Sequence, residues 1–216
     1  MDFNYFKEQL LATNGEESLI LDFSRKTFFH GLPYVFDIQG THGEEKYFEF
    51  RNKIAKKFQI GFHEVFIVGS VKLGFSPKPN SESTPTQFGK EFSLDSDIDV
   101  VLVNENLFEE YYKNICKYQY NFDFKYKNIS YREQNTYANF LEYMIKGWMR
   151  PDKLPTSFNI IEIKNDWFDF FNSISNGKSE VGNYQINGGL YKDYHYLENY
   201  YLSTIKQLYQ KISKEK

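Results

Sequence analysis

The chain has 216 residues, a formal net charge of −3, 25% charged residues, four histidines and one cysteine. That length suits one sizeable domain; the lone cysteine, Cys116, excludes an intramolecular disulfide, and the scattered histidines give no zinc-binding spacing. No apolar run approaches the ~20 residues that span a bilayer, the acidic balance gives no global attraction to nucleic acid, and Met1-Asp2-Phe3-Asn4 opens without a secretory pattern, so a cytoplasmic protein without membrane association is expected.

In chain order, apolar residues at Phe3, Phe6, Leu10 and Leu11 predict a short helix over 3–12. Residues 13–40 read as irregular, broken by Gly15, Gly31-Leu32-Pro33 and Gly40. Thr41 to Glu44 has the spacing of a capping box, and Tyr47, Phe50, Ile54, Ala55 and Phe58 recur on one face, predicting a helix over 44–59. Val65-Phe66-Ile67-Val68 reads as a buried strand that runs straight into Gly69-Ser70. A long polar loop at 76–93 precedes a strand over 97–103 and a helix over about 106–118. Loose aromatic–polar alternation over 119–132 suggests a hairpin arm, and a helix is expected over 136–148. Arg150-Pro151-Asp152-Lys153-Leu154-Pro155 breaks the chain before a strand over 158–163 and a short helix over 167–174. From Leu190 an apolar stripe stepping by three and four predicts a long C-terminal helix. The whole reads as one mixed domain over 1–216, with a core over about 44–165 and a helical C-terminal extension over about 166–216.

Two segments carry chemistry. In Ser96-Asp97-Ile98-Asp99-Val100 the carboxylates of Asp97 and Asp99 alternate with apolar residues, so in a strand both point to one side and Ile98 to the other. Adjacent carboxylates repel, no Lys or Arg lies between Glu91 and Glu105, and a hard divalent cation such as Mg²⁺ relieves such a pair. Gly69 lets the backbone approach a phosphate, Ser70 adds a hydroxyl donor, and Lys72, with Lys78 as a weaker candidate, adds positive charge. Either segment alone is common; a strand ending in Gly-Ser followed by a strand bearing Asp-x-Asp is much more specific.

Val68-Gly69-Ser70-Val71-Lys72-Leu73-Gly74 together with Ser96-Asp97-Ile98-Asp99-Val100-Val101 resembles the DNA polymerase β-like nucleotidyltransferase superfamily in its small stand-alone bacterial form. The resemblance covers roughly the middle fifth of the chain, and more loosely Leu107-Phe108 and the 150–155 segment. It implies an α+β fold, a small mixed sheet backed by helices. It further implies an NTP held by Gly69 and Ser70, with Mg²⁺ or Mn²⁺ on Asp97 and Asp99. One ion would ride on the β- and γ-phosphates and a second would acidify an acceptor hydroxyl, which attacks the α-phosphorus as pyrophosphate leaves. Larger members carry a third carboxylate on a neighbouring strand; Glu162, in the strand-like Ile160-Ile161-Glu162-Ile163, and Asp152 are the candidates, and two carboxylates alone would match minimal or degenerate members.

The acceptor stays open. A nucleic-acid 3′ end and a protein side chain both suit toxin–antitoxin or phage-defence transferases, with a cognate partner protein; a second nucleotide suits second-messenger or oligonucleotide synthases. Lys117, Lys125, Lys127 and Arg132 among aromatics form a possible nucleic-acid track, although a core-facing hairpin accounts for them more simply. The competing class is an inactive, antitoxin-like protein on the same scaffold.

Overall fold

A computed structural model describes residues 2–80, 87–120, 130–154 and 161–214, excepting the side chains of 117–120 and 161–162. The fold is α+β, a four-stranded mixed sheet with helices on both faces.

Strands β1 (Val65–Val68), β2 (Ile98–Val103), β3 (Trp148–Met149) and β4 (Ile186–Tyr191) lie in the order β1-β2-β4-β3. β2 pairs antiparallel with β1 and parallel with β4, and β4 pairs antiparallel with β3. Because side chains alternate along a strand, this register sorts two apolar layers. Val65, Ile67, Ile98, Val100, Leu102, Ile186, Leu190 and Met149 face one core; Val68, Val101, Val103 and Tyr191 face the other.

The first face is covered by α4 (Gly43–Phe58), α6 (Glu105–Tyr120), α7 (Tyr131–Ile145) and α8 (Ile161–Ile174). They contribute Phe50, Ile54, Phe108, Ile115, Tyr137, Phe140, Trp167 and Phe171. At Gly188 of β4 an added Cβ would overlap the Phe171 ring and come within 2.9 Å of Trp167, so glycine lets α8 lie flush on the sheet. The second face is covered by α1 (Phe3–Ala12), α2 (Glu17–Ser24) and α9 (Tyr194–Ile212), through Phe6, Leu10, Ile20, Leu197, Tyr201, Ile205 and Leu208. α1 starts where expected because Asp2 caps it, accepting from the Asn4 N–H at 2.7 Å.

Several expectations need correction. Residues 13–40 are largely helical: α2 passes into a π-helical turn at Arg25–Phe29, and α3 (Tyr34–Asp37) follows Pro33. The glycines separate short helices here, and none of these helices is long enough to show a clear period. No capping box forms at Thr41 to Glu44; α4 begins at Gly43 behind an uncapped His42. Ile161–Ile163, expected in a strand, open α8, while residues 155–160 lie outside the described residues. The segment 166–216 is mainly helical as expected, yet it also supplies β4, which pairs on both sides. Leu190 belongs to that strand, and the C-terminal helix starts at Tyr194, where Asp193 accepts from the Tyr196 N–H. Most of the expected hairpin arm, 121–129, lies outside the described residues; α6 runs on to Tyr120 and α7 starts behind a Ser130–Glu133 capping box.

Candidate functional site

One end of the sheet gathers polar groups from all four strands. Val68, last in β1, pairs with Asp99 of β2, so Gly69 emerges beside that carboxylate. A Cβ on Gly69 would lie 3.2 Å from Asp99 Oδ2. Gly69 has φ +77° and ψ −149°, a combination open to glycine and strained for other residues. It turns the chain into the four-residue helix α5 (Ser70–Leu73), which ends at Gly74 with φ +87°. Both faces of the turn are thus set by glycine, and Ser70 follows directly on the residue nearest Asp99.

On the other side of β2, Asp99 pairs with Asn187 of β4 in parallel register, and paired residues of a parallel ladder share a face. The ladder continues outward, the Ile98 N–H donating to the Gln185 carbonyl at 2.8 Å. Arg150, just beyond β3, completes the row. Its Nη2 donates to Asn187 Oδ1 at 3.3 Å, and its guanidinium grips Asp152, Nε to Oδ1 at 3.1 Å and Nη2 to Oδ2 at 2.8 Å. Across the sheet the row therefore reads Gly69, Asp99, Asn187, Arg150.

Asp97 is exposed and Asp99 half-buried, and neither has a hydrogen-bond or ion-pair partner among the described residues. Burial pushes the Asp99 carboxyl above the usual carboxylate range; the charges of Lys78 and Arg150 pull it back, and Asp97 pushes it up further. Asp99 in turn helps to hold the phenols of Tyr200 and Tyr191 neutral, although burial is the larger cause for both. A cationic ligand between the two carboxylates would remove the main cost of this arrangement.

The residues expected from the sequence part company here. Gly69 lies against Asp99, with Ser70 next in the chain, and the Asp97 charge acts on Asp99. Lys72 does not join them: it is 7% exposed, and its ammonium donates to the His30 and Gly31 carbonyls, both at 2.6 Å. It ties the turn to the N-terminal helical layer, and burial lowers its pKa to about 8. Lys78, the weaker candidate, is the lysine whose charge reaches Asp99. Glu162 sits in the first turn of α8 rather than on a strand, and Asp152 is committed to Arg150. The position beside Asp99 on the neighbouring strand belongs to Asn187, which sequence reasoning missed. Asn187-Gly188-Gly189 is poor in β-formers and hides the strand; the usable signal was the Ile186–Leu190 pair of apolar positions flanking it.

Asp97 and Asp99, close enough for one charge to act on the other and without protein partners among the described residues, offer hard oxygen donors, which fits one Mg²⁺ or Mn²⁺. Among the described residues no group of three or more His, Cys, Asp or Glu side chains converges. Beside Asp99 on β4 stands the neutral amide of Asn187, which accepts from the Arg150 guanidinium, a pair that does not fit a second dication. No helix among the described residues is long and apolar enough to cross a membrane. Compared with protein-family models, with curated proteins and with solved structures, the chain matches none.

Proposed function

We propose that this chain is a metal-dependent nucleotidyltransferase, moving a nucleoside monophosphate from an NTP to an acceptor hydroxyl with release of pyrophosphate. The observation that carries the reading is the seating of Gly69 against the Asp99 carboxylate, which brings a side-chain-free turn next to a carboxylate that feels the charge of a second, Asp97. A phosphate needs a backbone it can approach, and a polyphosphate needs a dication.

In this reading Gly69 and Ser70 receive the triphosphate, with Ser70 donating through its hydroxyl and peptide N–H. Asp97 and Asp99 would hold Mg²⁺ or Mn²⁺, which when bound neutralises phosphate charge and polarises the reacting phosphorus. Lys78 and Arg150 flank Asp99 with positive charge and draw the anionic substrate to this end of the sheet. The acceptor would be a nucleic-acid 3′ end or a protein side chain, as in toxin–antitoxin or phage-defence transferases with a cognate partner; a nucleotide acceptor is the alternative. Asn187 in the place of a third carboxylate favours, as second reading, a nucleotide-binding protein without turnover.

Incubation with each α-labelled NTP, Mg²⁺ or Mn²⁺, and total cellular RNA, DNA and protein separates these. Pyrophosphate release that falls about a hundredfold or more in Asp97→Ala and Asp99→Ala supports the enzyme. NTP-dependent thermal stabilisation with no release supports the binding protein. Absence of any nucleotide effect rejects both.

A further inference from the structure

The row across the sheet ends in a permanent cation where a two-metal site needs room for another dication. We infer that Arg150 acts as the second positive charge of this site, contacting the nucleotide's phosphates, and that the site takes a single divalent ion. The inference rests on the nucleotidyltransferase reading and narrows it.

Three observations lead there. First, Asn187 pairs with Asp99 across the parallel ladder, so the adjacent strand offers a neutral amide where a charged ligand to a second ion would stand. Second, that amide oxygen accepts from Arg150 Nη2, so a dication reaching it would displace this bond and meet a guanidinium at close range. Third, Arg150 is held but not used up. Asp152 occupies Nε and one side of Nη2, Asn187 accepts from Nη2, and Nη1 has no partner among the described residues. The side chain is 26% exposed, so a solute can reach it; the cleft of about 320 Å³ that it borders with Thr136, Asn139, Trp148 and Lys153 is lined by none of Gly69, Ser70, Asp97 or Asp99, so the contact with phosphate would be made from the Asn187 side. A planar guanidinium fixed on one edge and free on the other suits an anionic phosphate, and its charge still acts on Asp99. Asp152, considered above as a metal ligand, is a positioning residue for Arg150.

The test is native mass spectrometry of the full chain with Mn²⁺ and the α,β-methylene analogues of ATP, GTP, CTP and UTP, each added singly, with affinities from calorimetry. The expected complex carries one analogue and one Mn²⁺. Asn187→Asp, close in shape, should admit a second Mn²⁺. Arg150→Met should weaken analogue binding about tenfold or more at unchanged Mn²⁺ stoichiometry, with Arg150→Lys in between. Two Mn²⁺ in the unaltered chain, or Arg150→Met binding within about twofold, would overturn the inference while leaving the nucleotidyltransferase reading intact. Failure of all four analogues to bind overturns both. Melting curves of each variant separate lost binding from lost fold.

Discussion

The two faces of β2 are built to different rules. Ile98, Val100 and Leu102 point into a dry layer under α4 and α8, each at most 1% exposed. Val101 and Val103 point into the second layer, but the same side of the strand begins with Asp99, and Asp97 precedes the strand by one residue; neither carboxylate has a hydrogen-bond or ion-pair partner among the described residues. One strand thus joins a face optimised for packing to a face that carries unrelieved charge at one end. Packing and unpaired charge are separated by a single residue step, because the side-chain period of a strand is two.

The largest effect should come from the dry face. Leu102→Ala should cost about 2–5 kcal/mol in chemical denaturation, the range for emptying a packed aliphatic site. Gly188→Ala should cost about 1–3 kcal/mol, since its methyl meets Phe171 and Trp167, which have little room to retreat. Asp99→Asn should act in the opposite sense. Removing an unpaired, half-buried charge should raise the melting temperature of the metal-free protein by about 2–4 °C, the shift that ~1 kcal/mol gives at this size, while abolishing Mn²⁺-induced stabilisation. A lower melting temperature for Asp99→Asn would remove the contrast between the faces.

pH sharpens the same contrast. With its folded pKa raised, Asp99 binds its proton more readily folded than unfolded, so its contribution to stability improves as pH falls through that raised value. Melting curves of wild type and Asp99→Asn should therefore converge in acid and separate toward neutrality. A last effect concerns Lys72. The unfolded chain keeps that proton up to the ordinary 10.5, the folded chain only to about 8, so stability should rise with pH between these values. Lys72→Met should flatten that rise in denaturation midpoints measured across the window.

These comparisons also bear on what the sequence could disclose. The strands at 65–68 and 98–103, the helix at 3–12 and most of α4 were legible because each carries its own period or apolar run. The place of Asp99 on its strand was legible for the same reason, while Asp97, expected on the same strand, stands one residue before it. β4 was not, because Asn187, Gly188 and Gly189 have low β propensity and become a strand only between β2 and β3. Arg150 and Asn187 entered the site through sheet register, a relation among residues far apart in the chain. Lys72 misled for a related reason: its position in the sequence placed it on the turn, while the His30 and Gly31 carbonyls decided where its ammonium went.

The parallel pairing of β2 with β4 also sets a condition on how the molecule is made. During synthesis Ile98–Val103 emerges well before Ile186–Tyr191, and until then the inner strand of the finished sheet is an edge. That edge presents unpaired N–H and C=O groups along a strongly apolar segment, the kind that adds strands from other chains. α6, α7 and α8 must all be made before the missing strand arrives. A chain stopped short of residue 186 should therefore collect in aggregates detectable by sedimentation, where the full chain stays dispersed. For this protein, completing the candidate site and closing the sticky edge are one event.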